Sequence, residues 1–135
     1  MQGIAIAPSG AATGAAVAVR DLTKSWGKVE ALKRVSFEAA PGDMVAVVGP
    51  DGAGKTTLVQ LLAGLIAPTA GTALVAGRDI RASGAELGQR IGYMSEGFTL
   101  YGTLSVAENL EFFADLYGVS ETQRRERIAE LLRFS

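Results

Sequence analysis

The sequence predicts an α/β fold in which an antiparallel β segment precedes a strand, a glycine-rich turn and a helix, with more helices following. Three observations carry this. Residues 45–48 form an apolar run that leads directly into Gly-Pro-Asp-Gly-Ala-Gly-Lys. Two strand-like runs separated by turn signals lie ahead of it. After it, Leu58, Leu61, Leu62 and Leu65 recur at i, i+3, i+4 and i+7, one apolar stripe of a helix.

Taken in order, residues 1–16 read as a disordered leader of small residues. They have no positive n-region, and Pro8, Ser9, Gly10 and Gly14 break any apolar run well short of the ~18 residues that a membrane span needs. Residues 17–22 read as a strand, 23–28 as a turn carrying Trp26, and 34–39 as a second strand. Pro41-Gly42-Asp43 is a further turn, so a hairpin-like pair forms before the chain enters the next strand at Met44. Gly64 and Pro68 mark the end of the leucine-striped helix. Residues 71–76 read as a short strand closed by Gly77; a polar connection then leads to another strand at 91–94 and a loop at 95–103. Ser105 and Glu108 form a capping box, behind which Val106, Leu110, Phe113 and Tyr117 are expected to face a core. Ser120 and Gln123 form a second box, opening a helix whose Ile128, Leu131 and Leu132 are expected inside and whose Arg124, Arg125 and Arg127 are expected in water.

Residues 45–58 carry the chemistry. Gly49, Gly54, Lys55 and Thr56 fill G-x-x-x-x-G-K-[ST], and the motif sits between a strand and a helix as a phosphate-binding loop requires. Backbone N–H groups must approach phosphate oxygens closely, and side chains at Gly52 or Gly54 would obstruct them. Lys55 supplies a point charge for the β- and γ-phosphates, the Thr56 hydroxyl is placed to ligate Mg²⁺, and the helix directs its positive dipole end at the anion. Thr57 adds a donor. This is a phosphate-binding loop.

Composition narrows the alternatives. At 135 residues the chain is one domain at most. A formal net charge of −1 argues against nucleic-acid binding. With no Cys there is neither a disulfide framework nor a thiolate metal site, which suits a reducing cytoplasm. With no His, chemistry must run on carboxylates, hydroxyls, Lys and bound metal.

Several stretches together resemble one family. They are Trp26-Gly27, A-L-K-R-V-S-F-E-A, V-G-P-D-G-A-G-K-T-T-L, L-L-A-G-L-I-A-P-T-A-G-T, and I-G-Y-M followed by L-S-V-A-E-N-L. Residues 17–135 resemble the N-terminal half of the nucleotide-binding domain of ATP-binding-cassette (ABC) transporters, and E-N-L-E-F-F-A-D-L-Y-G resembles the exporter and multidrug type. The resemblance implies a P-loop NTPase fold with a RecA-like core, binding ATP and Mg²⁺ in company with a second nucleotide-binding domain and transmembrane subunits, peripheral at the cytoplasmic face of the membrane. By position, Trp26 matches the aromatic that stacks on adenine, where Tyr is usual. Gly49, Gly52, Ala53, Gly54, Lys55, Thr56 and Thr57 match the phosphate loop. Asp51 stands where Asn or Ser is more usual, tolerable if its carboxylate points away from phosphate. Glu96 stands where the family carries the catalytic Gln that reaches Mg²⁺ and the attacking water, so Glu96 is a candidate metal ligand alongside Thr56.

The sequence holds no L-S-G-G-Q, no apolar strand ending in Asp-Glu and no His. The resemblance places these beyond the residues it covers, so the chain reads as a partial domain that does not hydrolyse ATP alone. The competing readings are a non-catalytic nucleotide-binding module and a P-loop kinase; the antiparallel segment before Met44 counts against the kinase.

Overall fold

A computed structural model describes residues 5–6, 15–81, 84–97 and 99–133. The chain divides into two compact units, residues 1–93 and 94–135. The first holds β1 (Ala5–Ile6), β2 (Val17–Trp26), β3 (Val29–Ala39), β4 (Val47–Val48), α1 (Lys55–Leu62), β5 (Ala70–Val75), β6 (Arg78–Asp79) and α2 (Gly84–Gly88); the second holds α3 (Val106–Leu116) and α4 (Glu121–Leu131).

Alternation of apolar and polar residues builds the main sheet of the first unit. Its strands run in the order β3-β2-β5-β6, each pair antiparallel. Val19 and Leu22 from β2, Leu32 from β3 and Ala73 and Val75 from β5 reach a common core, which α1 completes with Leu58 and Leu61. Fully burying one such leucine contributes about 1.5–3 kcal/mol, so α1 is fixed to the sheet by its own stripe. Leu65 does not join it, being more than half exposed, because α1 stops at Leu62. Gly64 takes φ +70°, and its N–H reaches Leu61 O while that of Leu65 reaches Gln60 O, both at 3.0 Å. That pair of bonds is a Schellman ending.

Both strands of the first hairpin are longer than expected. Trp26 pairs with Val29, so Trp26 is the last residue of β2 and only Gly27 and Lys28 make the turn, Gly27 at φ +59°. The ladder is interrupted between Val19 and Leu22, where Asp21 takes φ +47°. Its carboxylate accepts from Nε and a terminal nitrogen of Arg34 at 3.2 and 3.1 Å, and Arg34 itself takes φ +42°. The second hairpin turns at Ala76 and Gly77, both at positive φ, a combination suited to a two-residue connection between right-twisted strands.

Other expectations need correction. The strand before the phosphate loop is only β4, with Met44 and Val48 exposed. Among the described residues its one partner is β1, which pairs Ala5 with Val48 and Ile6 with Val47 within the stretch read as a disordered leader. Residues 1–4 and 7–14 of that stretch lie outside the described residues. Residues 91–94 form no strand: Ile91 packs against the core, whereas Tyr93 and Met94 are exposed. A strand needs a ladder partner for its N–H and C=O groups, and among the described residues none pairs with 91–94. The connection taken as polar contributes two core residues, Ile80 and the fully buried Leu87.

In the second unit the first capping box is complete. Ser105 N–H donates to Glu108 Oε2 at 2.7 Å and Glu108 N–H to Ser105 Oγ at 3.3 Å. These contacts, the Ser105 side chain first, hold the Glu108 carboxyl below its ordinary range. The second box does not form: Ser120 makes no side-chain cap bond, and its hydroxyl instead donates to Gln123 Oε1 at 3.2 Å. Leu110, Phe113 and Ile128 are half-buried, but Val106, Tyr117, Leu131 and Leu132 are exposed. Two helices of 11 residues cannot enclose both apolar stripes. Arg124 is not simply in water: it pairs with Asp115 and donates to Val119 O at 3.4 Å.

Candidate nucleotide-binding site

The phosphate loop is shaped by two left-handed glycines, Gly52 at φ +77° and Gly54 at φ +92°. Gly54 is the N-cap of α1, and no side chain caps that end. The first helical bond runs from Leu58 N–H to Gly54 O at 2.8 Å, so the amides of Lys55, Thr56 and Thr57 precede the i→i−4 ladder and project from the helix start. Here a phosphate meets several donors and the positive end of a dipole together.

Lys55 folds back over the loop. Its ammonium donates to Gly49 O and Pro50 O, each at 2.8 Å. An ammonium has three donors, so one remains to meet an anion after these two. Asp51 Oδ1 stands 3.8 Å from the same nitrogen, with the Asp51 side chain fully exposed. The carboxylate therefore points to solvent, as its tolerance next to phosphate requires, but still shares the cation. Asp51→Asn is expected to tighten Mg-ATP binding about two- to three-fold at low salt, the scale of an exposed ion pair, and less at high salt. Calorimetry at two ionic strengths checks this; a gain independent of salt would mean that Asp51 acts otherwise than by charge.

The loop is braced against the first hairpin. A Cβ placed on Gly54 would lie 2.2 Å from Ala31 O and 3.4 Å from Leu32 Cδ1. Ala31 is two residues beyond Val29, the cross-strand partner of Trp26. At about 3.4 Å of rise per residue, the hairpin tip lies roughly 7 Å along β3 from the point where the loop touches it. Trp26 is 54% exposed there. The structure thus brings Trp26 and the phosphate loop to one end of the first unit, with the indole outside the core.

Ala53 and Thr57 are partly buried in and after the loop, and the Thr56 side chain is exposed at the helix start. Glu96 is exposed and belongs to the second unit. Among the described residues no three acidic side chains gather into a ready-made metal cage. The donor set still suits Mg²⁺, which is held by one or two hard oxygen ligands together with substrate phosphates and water. The Thr56 hydroxyl beside the amides is such a ligand.

Sequence reasoning missed two residues. Lys24 Nζ sits 4.1 Å from the centroid of the Trp26 ring; the spacing K-S-W was its one visible sign. Asn109 is buried, accepts from Tyr101 N–H at 2.9 Å, and donates to the carbonyls of Tyr101, Leu104 and Ser105 at 3.0–3.2 Å. It thereby ties residues 101–105 to α3. Its sign was an amide inside an apolar stripe, three residues after Val106.

Residues 32–135 match the ABC transporter family model. Over 115 residues the chain is 38% identical to the probable multidrug ABC transporter ATP-binding protein YbhF of Escherichia coli K12, covering 85% of this chain and 20% of that protein. Among solved structures, an ATP-binding subunit of an ABC transporter superposes with a TM-score of 0.69 at 27% identity, covering 87% of this chain and 49% of that one. The dimeric post-hydrolysis cassette MJ0796, bound to ADP and Pi, superposes with a TM-score of 0.65 at 25% identity, covering 87% of this chain and 56% of the cassette. The chain therefore spans a fifth of the curated relative and about half of the solved cassettes. On the match of residues 32–135 to the family model, the chain belongs to the ABC transporter family, in its ATP-binding part.

Proposed function

We propose that this chain binds Mg-ATP as the nucleotide-binding portion of a transporter ATPase. The observation that carries the reading is the loop itself: Gly52 and Gly54 in left-handed conformations, with Lys55 held across it by two carbonyls at the uncapped start of α1. Lys55 and the amides at the start of α1 receive the β- and γ-phosphates. Trp26 offers its ring to adenine, since stacking needs a π-face and indole provides one. The Thr56 hydroxyl holds Mg²⁺; the metal's part is to neutralise phosphate charge.

In the complete protein this portion joins a second nucleotide-binding domain and transmembrane subunits at the cytoplasmic face of the membrane, where ATP binding and hydrolysis drive transport. Among the described residues no helix is long and apolar enough to cross a membrane. By itself the chain binds without turnover, because no carboxylate pair follows an apolar strand to polarise water.

The test is a titration of the purified chain with Mg-ATP, Mg-ADP and AMP by calorimetry, with fluorescence of Trp26, the sole tryptophan, recorded in parallel. Saturable binding is expected for ATP and ADP and much weaker binding for AMP, with a change in Trp26 emission at saturation. Absence of heat with ATP overturns the reading; heat without any emission change removes Trp26 from the site.

A further inference from the structure

We propose that Lys24 is a positioning residue for the base of the bound nucleotide: its ammonium covers one face of Trp26, so that a purine stacks on the other. The inference rests on the reading of Trp26 as the base platform and adds a residue that no phosphate-loop pattern points to.

The geometry gives Lys24 two simultaneous roles. Its Nζ lies 4.1 Å from the Trp26 ring centroid, within cation–π range. The same nitrogen donates to Ala67 O at 2.7 Å, so the charge is anchored in the segment that follows α1. That segment is itself fastened beside β2: Thr69 N–H donates to Thr23 O at 2.8 Å, and Ser25 N–H donates to Thr69 Oγ1 at 3.0 Å. A lysine left to itself keeps its head in water and its stem on the surface. This one is held over an aromatic ring by the Ala67 carbonyl.

Two consequences follow for an exposed indole. The ammonium limits rotation of a ring that otherwise stands in solvent at the hairpin tip, which lowers the ordering cost of stacking. It also draws π density towards its own face, leaving the opposite face less electron-rich. Stacking on that face favours the larger, electron-rich purine over a pyrimidine. None of this touches phosphate, so Lys24 acts on the base alone.

The experiment compares the natural chain with Lys24→Met, Lys24→Arg and Trp26→Ala, each titrated with Mg-ATP, Mg-CTP and magnesium triphosphate, which has no base. Met keeps the length and apolar stem of Lys and removes the charge; Arg keeps the charge. Lys24→Met is expected to weaken Mg-ATP about two- to five-fold, the scale of an exposed cation–π contact, to narrow the ATP-to-CTP ratio and to leave triphosphate unchanged. It should also shift Trp26 emission in the absence of nucleotide, a signature that loss of a purely structural contact elsewhere would not produce. Lys24→Arg should bind all three within about two-fold of the natural chain, since guanidinium also stacks on aromatic faces. Equal weakening of ATP and triphosphate by Lys24→Met would overturn the proposal, because the effect would then lie at the phosphates or in folding. No change with either ligand would overturn it too, provided that Trp26→Ala loses ATP. If Trp26→Ala binds Mg-ATP like the natural chain, the platform reading itself is wrong and the role of Lys24 falls with it.

Discussion

Lys55→Ala is expected to lower Mg-ATP affinity by about 30- to 1,000-fold while moving thermal unfolding by no more than a few degrees. The two halves of this result have separate causes. In the nucleotide complex the ammonium makes charge-assisted hydrogen bonds, each worth about 1.5–3 kcal/mol, and its removal leaves phosphate charge without a counterpart. In the free chain, among the described residues, Lys55 donates to Gly49 O and Pro50 O. Pro50 is exposed and Gly49 half-buried, so water takes over those carbonyls once the side chain is cut back. The ion pair with Asp51 adds little, since that carboxylate is fully exposed. Calorimetry with Mg-ATP and a melting curve on the same preparation check both halves. Unchanged affinity would remove Lys55 from the site, and a large loss of stability would make it a structural residue.

How far the site was legible in the sequence depends on how local its cause is. The phosphate loop was readable because its requirements are backbone conformations: glycines at 52 and 54 can be recognised without knowing what surrounds them, and both adopt positive φ. The leucine stripe of α1 was readable for a similar reason, apart from Leu65, where the Schellman ending at Gly64 overrides the period. The first capping box was readable; the second, expected from the same spacing, does not form, because spacing does not fix which way the Ser120 hydroxyl and the Gln123 side chain turn. Strand 91–94 was misread because a strand is a pairing and not a property of its own residues. The Lys24–Trp26 contact was out of reach for the same reason. It depends on Ala67 O, 43 residues away in the chain, holding the ammonium in place. Asn109 lies between these cases: its position in an apolar stripe marks it as unusual, but the four bonds that satisfy it run to a loop whose path only the fold defines.

That dependence on neighbours makes Gly54→Ala the most costly single change expected in the loop. Two penalties combine there and can be separated by comparison with Gly52→Ala. Both glycines are left-handed, so either alanine carries a backbone strain of about 1–3 kcal/mol. At Gly52 a Cβ meets nothing within 4 Å, and strain is the whole cost to folding. At Gly54 the Cβ falls 2.2 Å from Ala31 O and 3.3 Å from Ala31 C, backbone atoms that no rotamer change moves aside. Relief requires the loop to lift from β3 or β3 to bend, and either motion disturbs Leu32 and Leu58, which are fully buried in the same core. Overpacking of this kind adds about 1–3 kcal/mol. Gly54→Ala is therefore expected to lose about 2–6 kcal/mol in urea unfolding against about 1–3 kcal/mol for Gly52→Ala, and to bind Mg-ATP poorly even in the fraction that stays folded, since the displaced loop no longer presents its amides together. Gly52→Ala should keep more of its stability than Gly54→Ala yet still lose affinity, because its methyl stands in the open space where phosphate must approach. Equal losses of stability in the two variants would show that φ alone sets the cost and that the loop is not braced on the hairpin that carries Trp26.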